Sequence, residues 1–252
     1  MLRYLLMTGL LPLAAASAAA APTHTLVTRV TRGAETYAHT EKLAEGAQTN
    51  YVGQSNGRRV IVNTILSKAP AGLSVSYQIE VSRQDGGGGL QAQGSVALAP
   101  GDHVLALDCG KWRIDFALDS TSPKSAPSAW SPAGRNYRLT TDGARRRCRL
   151  LIELESQANI VDSGAVGSGS SYILNEVLKK PVKGIFGLSY QLEDAPRQLQ
   201  GDAGLALGKK AAGTGGVEFL LEGPTPAAEP PPVAAPAAPA PSQGGGAVPL
   251  LR

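Results

Sequence analysis

Three histidines, two cysteines and 20 carboxylates are the groups with which this 252-residue chain could do chemistry. Nucleophilic hydrolysis needs a nucleophile, a base and a group that orients the base. No Gly-x-Ser-x-Gly elbow occurs, and His24, His39 and His103 are scattered along the sequence. His103 has Asp102 and Asp108 nearby, but Asp102-His103 follows Pro100-Gly101 directly and reads as a solvated turn pair. Neither paired His spacing nor an Asp-x-Asp-x-Asp-Gly loop is present, so no metal and no other cofactor is expected. Residues 164–171, rich in Gly and Ser, lack the Gly-Lys-Ser/Thr ending of a phosphate-binding loop and read as a surface loop. The chain is therefore expected not to be an enzyme, with no catalytic residue.

Cys109 and Cys148 lie far apart in sequence and outside any Cys-x-x-Cys pattern, so structural pairing is favoured over redox chemistry. Alternation puts Cys109 on one face with Leu105 and Leu107, and Cys148 on one face with Leu150 and Ile152. Both thiols then point inward, and their bond would tie the two halves of the chain together. Arg145, Arg147 and Arg149 alternate with Cys148 and face solvent, which makes them a candidate binding stripe for an acidic partner or a guard on an exposed strand edge. Trp130 is the remaining candidate, as a recognition aromatic or as a plug folded onto the body. Tyr137 and nearby polar groups could serve a carbohydrate ligand.

The elements that would position these residues are mostly strands. Leu73, Val75, Tyr77, Ile79 and Val81 alternate with polar residues, as do Trp112, Ile114, Phe116 and Leu118. Together with residues 90–98 and 103–109 they predict a four-strand meander, with Pro100-Gly101 at the centre of a type II turn. Residues 26–32 and 59–66 also favour strand, as do 186–192 and 217–221. Asp142-Gly143 predicts a hairpin joining residues 136–141 to 145–155. Residues 171–180 are the one helix candidate, because Ile173, Leu174, Val177 and Leu178 share a helical face, with strand as the alternative. Linear comparison of the two halves shows no residue-by-residue repeat.

The fold class expected is mostly β, an antiparallel β-sandwich-like body. Residues 1–20 have the charged start, apolar run and small-residue end of a signal peptide. Residues 21–222 would form the β-rich body, as two packed halves (21–119 and 135–222) joined by a Ser/Pro-rich loop at 120–134. Residues 223–252, dominated by Pro, Ala and Gly, are expected to be a disordered tail. Localisation is then periplasmic or secreted, with no membrane span after cleavage. A net charge of +4 without an aromatic-basic pattern makes nucleic acid a poor partner. These features predict a non-enzymatic accessory or scaffold subunit with an envelope protein partner, or alternatively a ligand-binding module, perhaps for carbohydrate.

Overall fold

The computed structural model describes residues 22–69, 72–83, 88–119, 135–143, 146–164, 170–194 and 197–224. The expected signal peptide, Trp130, Arg145 and most of the Pro/Ala/Gly-rich tail lie outside them. The first half forms β1 (Thr23–Arg32), β2 (Glu35–Ala44), β3 (Gln48–Ser55), β4 (Arg58–Ala69), β5 (Gly72–Arg83), β6 (Gly88–Leu98), β7 (His103–Cys109) and β8 (Trp112–Leu118). The second forms β9 (Asn136–Asp142), β10 (Arg147–Glu153), β11 (Gln157–Gly164), β12 (Ser170–Leu178), β13 (Ile185–Asp194), β14 (Arg197–Ala206), β15 (Lys210–Ala212) and β16 (Glu218–Glu222).

These strands make two eight-stranded antiparallel sheets stacked as a β-sandwich. The first has the order β15-β16-β9-β10-β7-β8-β1-β2 and the second β14-β13-β12-β11-β6-β5-β4-β3. Alternation explains the stacking. Val60, Val62 and Leu66 on β4 and Val75, Tyr77 and Ile79 on β5 turn inward, meeting Leu26, Val30, Phe116 and Leu118 in one core that runs through both halves. Full burial of each such side chain contributes about 1.5–3 kcal/mol.

Four expectations need correction. Residues 171–180 form strand rather than helix, because Tyr172, Leu174, Glu176 and Leu178 all face the core at a two-residue period. A strand on each side then satisfies the backbone of β12. The meander is really two hairpins in different sheets: β5 pairs with β6, the chain turns at Pro100-Gly101, and β7 pairs with β8. The turn itself is as expected, with Gly101 at φ +91° and the Asp102 N–H donating to Ala99 O at 3.0 Å. Asp142-Gly143 does join two paired strands, but β10 starts at Arg147, opposite Asp142, and the connection closes through the Gly143 N–H and Arg146 O at 2.9 Å.

The fourth correction is that the chain repeats. The path β2-β1-β8-β7 over β3-β4-β5-β6 recurs strand for strand as β10-β9-β16-β15 over β11-β12-β13-β14. Side chains fix the match. Tyr77 packs on Phe116 with ring centroids 5.0 Å apart, and Tyr190 on Phe219 at 4.7 Å. Each tyrosine lies over a cross-strand glycine, where an added Cβ would meet its hydroxyl at 2.9 Å for Gly94 and 3.0 Å for Gly201. Each phenylalanine pairs with a buried threonine, Thr28 or Thr141. Connections of different length shift the spacing between equivalent residues from strand to strand, which hides the repeat from comparison at a fixed offset.

The two units join edge to edge, β7 to β10 and β6 to β11. Cys109 and Cys148 are directly opposed at this junction, fully buried and disulfide-bonded, with Cα atoms 4.2 Å apart. Trp112 Nε1 donates to Asp162 Oδ1 at 3.0 Å, and Ser74 Oγ to Glu153 Oε2 at 2.6 Å. The junction is thus satisfied by polar as well as apolar contacts.

Candidate binding face: a carboxamide row across the second sheet

The solvated turn pair expected at Asp102-His103 does not form, because the two side chains take different partners and His103 is largely buried. His103 Nε2 lies 2.7 Å from Asp115 Oδ1, Asp102 accepts from the Ala99 N–H, and Asp108 pairs with Arg149 across the strands. Arg147 is exposed and stands 4.0 Å from Asp142. Tyr137 is half-buried against Phe186, with centroids 5.1 Å apart, and so does not lead an exposed ligand platform. Among the described residues no group of three or more His, Cys, Asp or Glu could hold a metal ion.

What the topology does assemble is a line of amides. On the outer face of the second sheet, Asn50 stands opposite Asn63, Asn63 opposite Gln78, and Gln78 opposite Gln93. Gln93 then faces Asn159 across the junction, followed by Asn175, Gln191 and Gln200. The row reads Asn-Asn-Gln-Gln twice and crosses every strand of the sheet. At roughly 4.8 Å between strands, it runs for about 33 Å.

The neighbouring row repeats as well. Val52, Ile61, Glu80 and Gln91 are followed by Val161, Ile173, Glu193 and Gln198. Both rows are exposed or half-buried. Val52 is 52% exposed, and Gln191 Nε2 donates to Glu193 Oε1 at 2.9 Å. The amide row itself carries no charge, and a carboxamide has both donors and an acceptor, although the Oδ1 of Asn63 is buried. It suits neither proton transfer nor nucleophilic attack; it suits binding of groups that donate and accept in turn.

Linear motifs underlie the face and could have revealed it. Ser76-Tyr77-Gln78-Ile79-Glu80 recurs as Ser189-Tyr190-Gln191-Leu192-Glu193, and Gln91-Ala92-Gln93-Gly94 as Gln198-Leu199-Gln200-Gly201. Comparison with protein-family models, curated proteins and solved structures finds no match.

Proposed function

We propose that this is an exported, non-enzymatic binding protein whose working surface is the outer face of the second sheet, and whose ligand is an extended neutral polysaccharide. One observation carries the reading: all eight outward residues of the two middle rows are the same in both units. Outward positions tolerate substitution at little cost to stability, so packing does not require this identity, and a shared task does.

Spacing and chemistry point to the ligand class. Sugar hydroxyls donate and accept hydrogen bonds, as carboxamides do. A polypeptide laid across the strands would advance only about 3.3 Å per residue and fall out of step with the row. An extended glycan advances by a length comparable to the strand separation and stays in step. Glu80 and Glu193 beside the row oppose a polyanion. The expected signal peptide and the Cys109–Cys148 bond both support a periplasmic or secreted setting.

Co-sedimentation of the full chain with insoluble neutral and acidic polysaccharides tests the proposal. Gln78→Ala combined with Gln191→Ala removes two neutral hydrogen-bonding sites, each worth about 0.5–1.5 kcal/mol, so neutral-glycan affinity should fall by about tenfold with folding unchanged. Retention on a protein partner with no polysaccharide binding, or affinity indifferent to the substitutions, would overturn it.

A further inference from the structure

The repeat also says something about the two ends of the sandwich. One end is formed by β2 and β3, whose counterparts in the second unit are β10 and β11. The other is formed by β15 and β14, the counterparts of β7 and β6. Those counterparts pair with each other at the junction inside the chain. The free ends are therefore complementary, with the strand direction needed for antiparallel pairing.

Among the described residues, neither long edge is strongly guarded. Exposed edges are ordinarily protected by charge, proline, bulges or a covering element. The β3 sequence, QTNYVGQS, contains no charged residue and no proline. The β14 sequence, RQLQGDAGLA, has only Arg197 and Asp202. Behind β3, a cleft of about 260 Å³ opens between the sheets, lined by Thr28, His39, Tyr51 and Val62 among others. His39 and Tyr51 stack across its mouth with centroids 4.0 Å apart. In the second unit the equivalent residues, Thr141, Cys148, Ile160 and Leu174, are no more than 1% exposed. There the first unit covers the equivalent site.

We infer that copies of this chain associate head to tail, the β14 edge of one pairing with the β3 edge of the next in the register of the internal β6–β11 junction. Gln93 stands opposite Asn159 in that junction, and Gln91 opposite Val161. Transferred to the free ends, Gln200 faces Asn50 of the next copy and Gln198 faces its Val52. The amide row then runs unbroken from copy to copy. Such a contact is heterologous, so repeated addition gives a ring where successive rotations close and an open filament where they do not. Neither β2 nor β15 contains cysteine, and β15 is short, so the association is non-covalent, reversible and carried mainly by the second sheet.

The test uses the full chain without polysaccharide, so its failure leaves the ligand reading standing. Val52→Cys with Gln198→Cys, oxidised at increasing protein concentration, should give a ladder of covalent multimers on non-reducing gels. Its yield should be at least tenfold above either single variant and above the off-register pair Gln54→Cys with Gln198→Cys. Sedimentation of the unsubstituted chain should show average mass rising with concentration. A monomer at every concentration with no ladder overturns the inference. So does efficient dimer formation by Val52→Cys alone, which would mean symmetric pairing of two β3 edges. A ladder equally strong in the off-register pair would reduce the signal to collision and overturn it as well.

Discussion

On the outer face of the second sheet the two units agree wherever the middle rows can be compared, whereas on the outer face of the first sheet they diverge. Arg29 corresponds to Asp142, Ala38 to Arg147 and Thr40 to Arg149. Inward positions fall between these extremes. Tyr77 and Tyr190 agree, but Val62 has become Leu174 and Tyr51 has become Ile160, with neighbours repacked around each change. A core accepts such exchanges when volume is conserved overall. Identity is thus concentrated on one solvent-facing surface, the one proposed to bind the ligand.

The largest expected effect concerns what holds the units together. Replacing both Cys109 and Cys148 with Ser should destabilise the chain by about 4 kcal/mol in the chain-entropy treatment, seen as a fall of about 10 °C in Tm for a protein of this size. Non-reducing mass spectrometry checks that the bond is present, and calorimetry measures its removal. If the double variant melts unchanged, the β6–β11 pairing and the polar contacts of Trp112 and Ser74 hold the junction unaided.

A smaller effect separates the two cores. Glu176 occupies the place that Thr64 holds in the first unit, each facing the sheet interior next to its tyrosine. Burial pushes the Glu176 carboxyl up to about 7 from 4.5, against the hydrogen bond donated by Thr141. Between those two pH values the folded chain keeps a proton that the unfolded chain has lost. Stability should therefore fall as pH rises from about 4.5 to about 7 and stay low above that. At 1.36 kcal/mol per pH unit, Glu176→Gln should stabilise the protein by about 3 kcal/mol at pH 8 and leave it nearly unchanged at pH 4. Denaturant titrations at the two pH values decide it; equal gains at both would assign the effect to packing instead.

How much of this was legible in the sequence depends on burial. Strands with a clean apolar alternation, such as β5 and β8, could be read directly, and so could the inward cysteines. The edge strands β2, β3 and β14 could not, because one or both faces carry polar side chains and the alternation vanishes: β3 reads Gln-Thr-Asn-Tyr-Val-Gly-Gln-Ser. The helical reading of residues 171–180 failed because Ile173 and Val177 lie on the outer face while Leu174 and Leu178 lie inside, which imitates a helical stripe. The amide row was only partly legible, for another reason. Its members come from eight strands, and only the pairing registers bring them into line. The paired Ser-Tyr-Gln-x-Glu and Gln-x-Gln-Gly segments were its local signs.

If the units contribute equally to the face, Gln78→Ala and Gln191→Ala taken singly should weaken polysaccharide binding by the same few-fold factor. Each removes one neutral hydrogen-bonding site at an equivalent place. Isothermal titration with a soluble neutral oligosaccharide long enough to span the sheet measures both. A loss confined to one variant would show that the ligand occupies one unit, and would restrict the shared task to folding of the second sheet.

The smallest expected effect lies on the diverged face. Arg147 is exposed, and its partner Asp142 is exposed as well, 4.0 Å away, so their attraction is screened and worth a fraction of a kcal/mol. Arg149 is already matched to Asp108 across the junction, which leaves less positive charge for an acidic partner than the spacing of arginines suggests. Arg147→Ser should change stability by less than about 0.5 kcal/mol and leave retention on both neutral polysaccharide and envelope extracts unaltered at low and high salt. A loss of retention that appears mainly at low ionic strength would give the first sheet a steering role toward acidic partners. The divergence between the units on that face would then mark a second surface specific to the second unit.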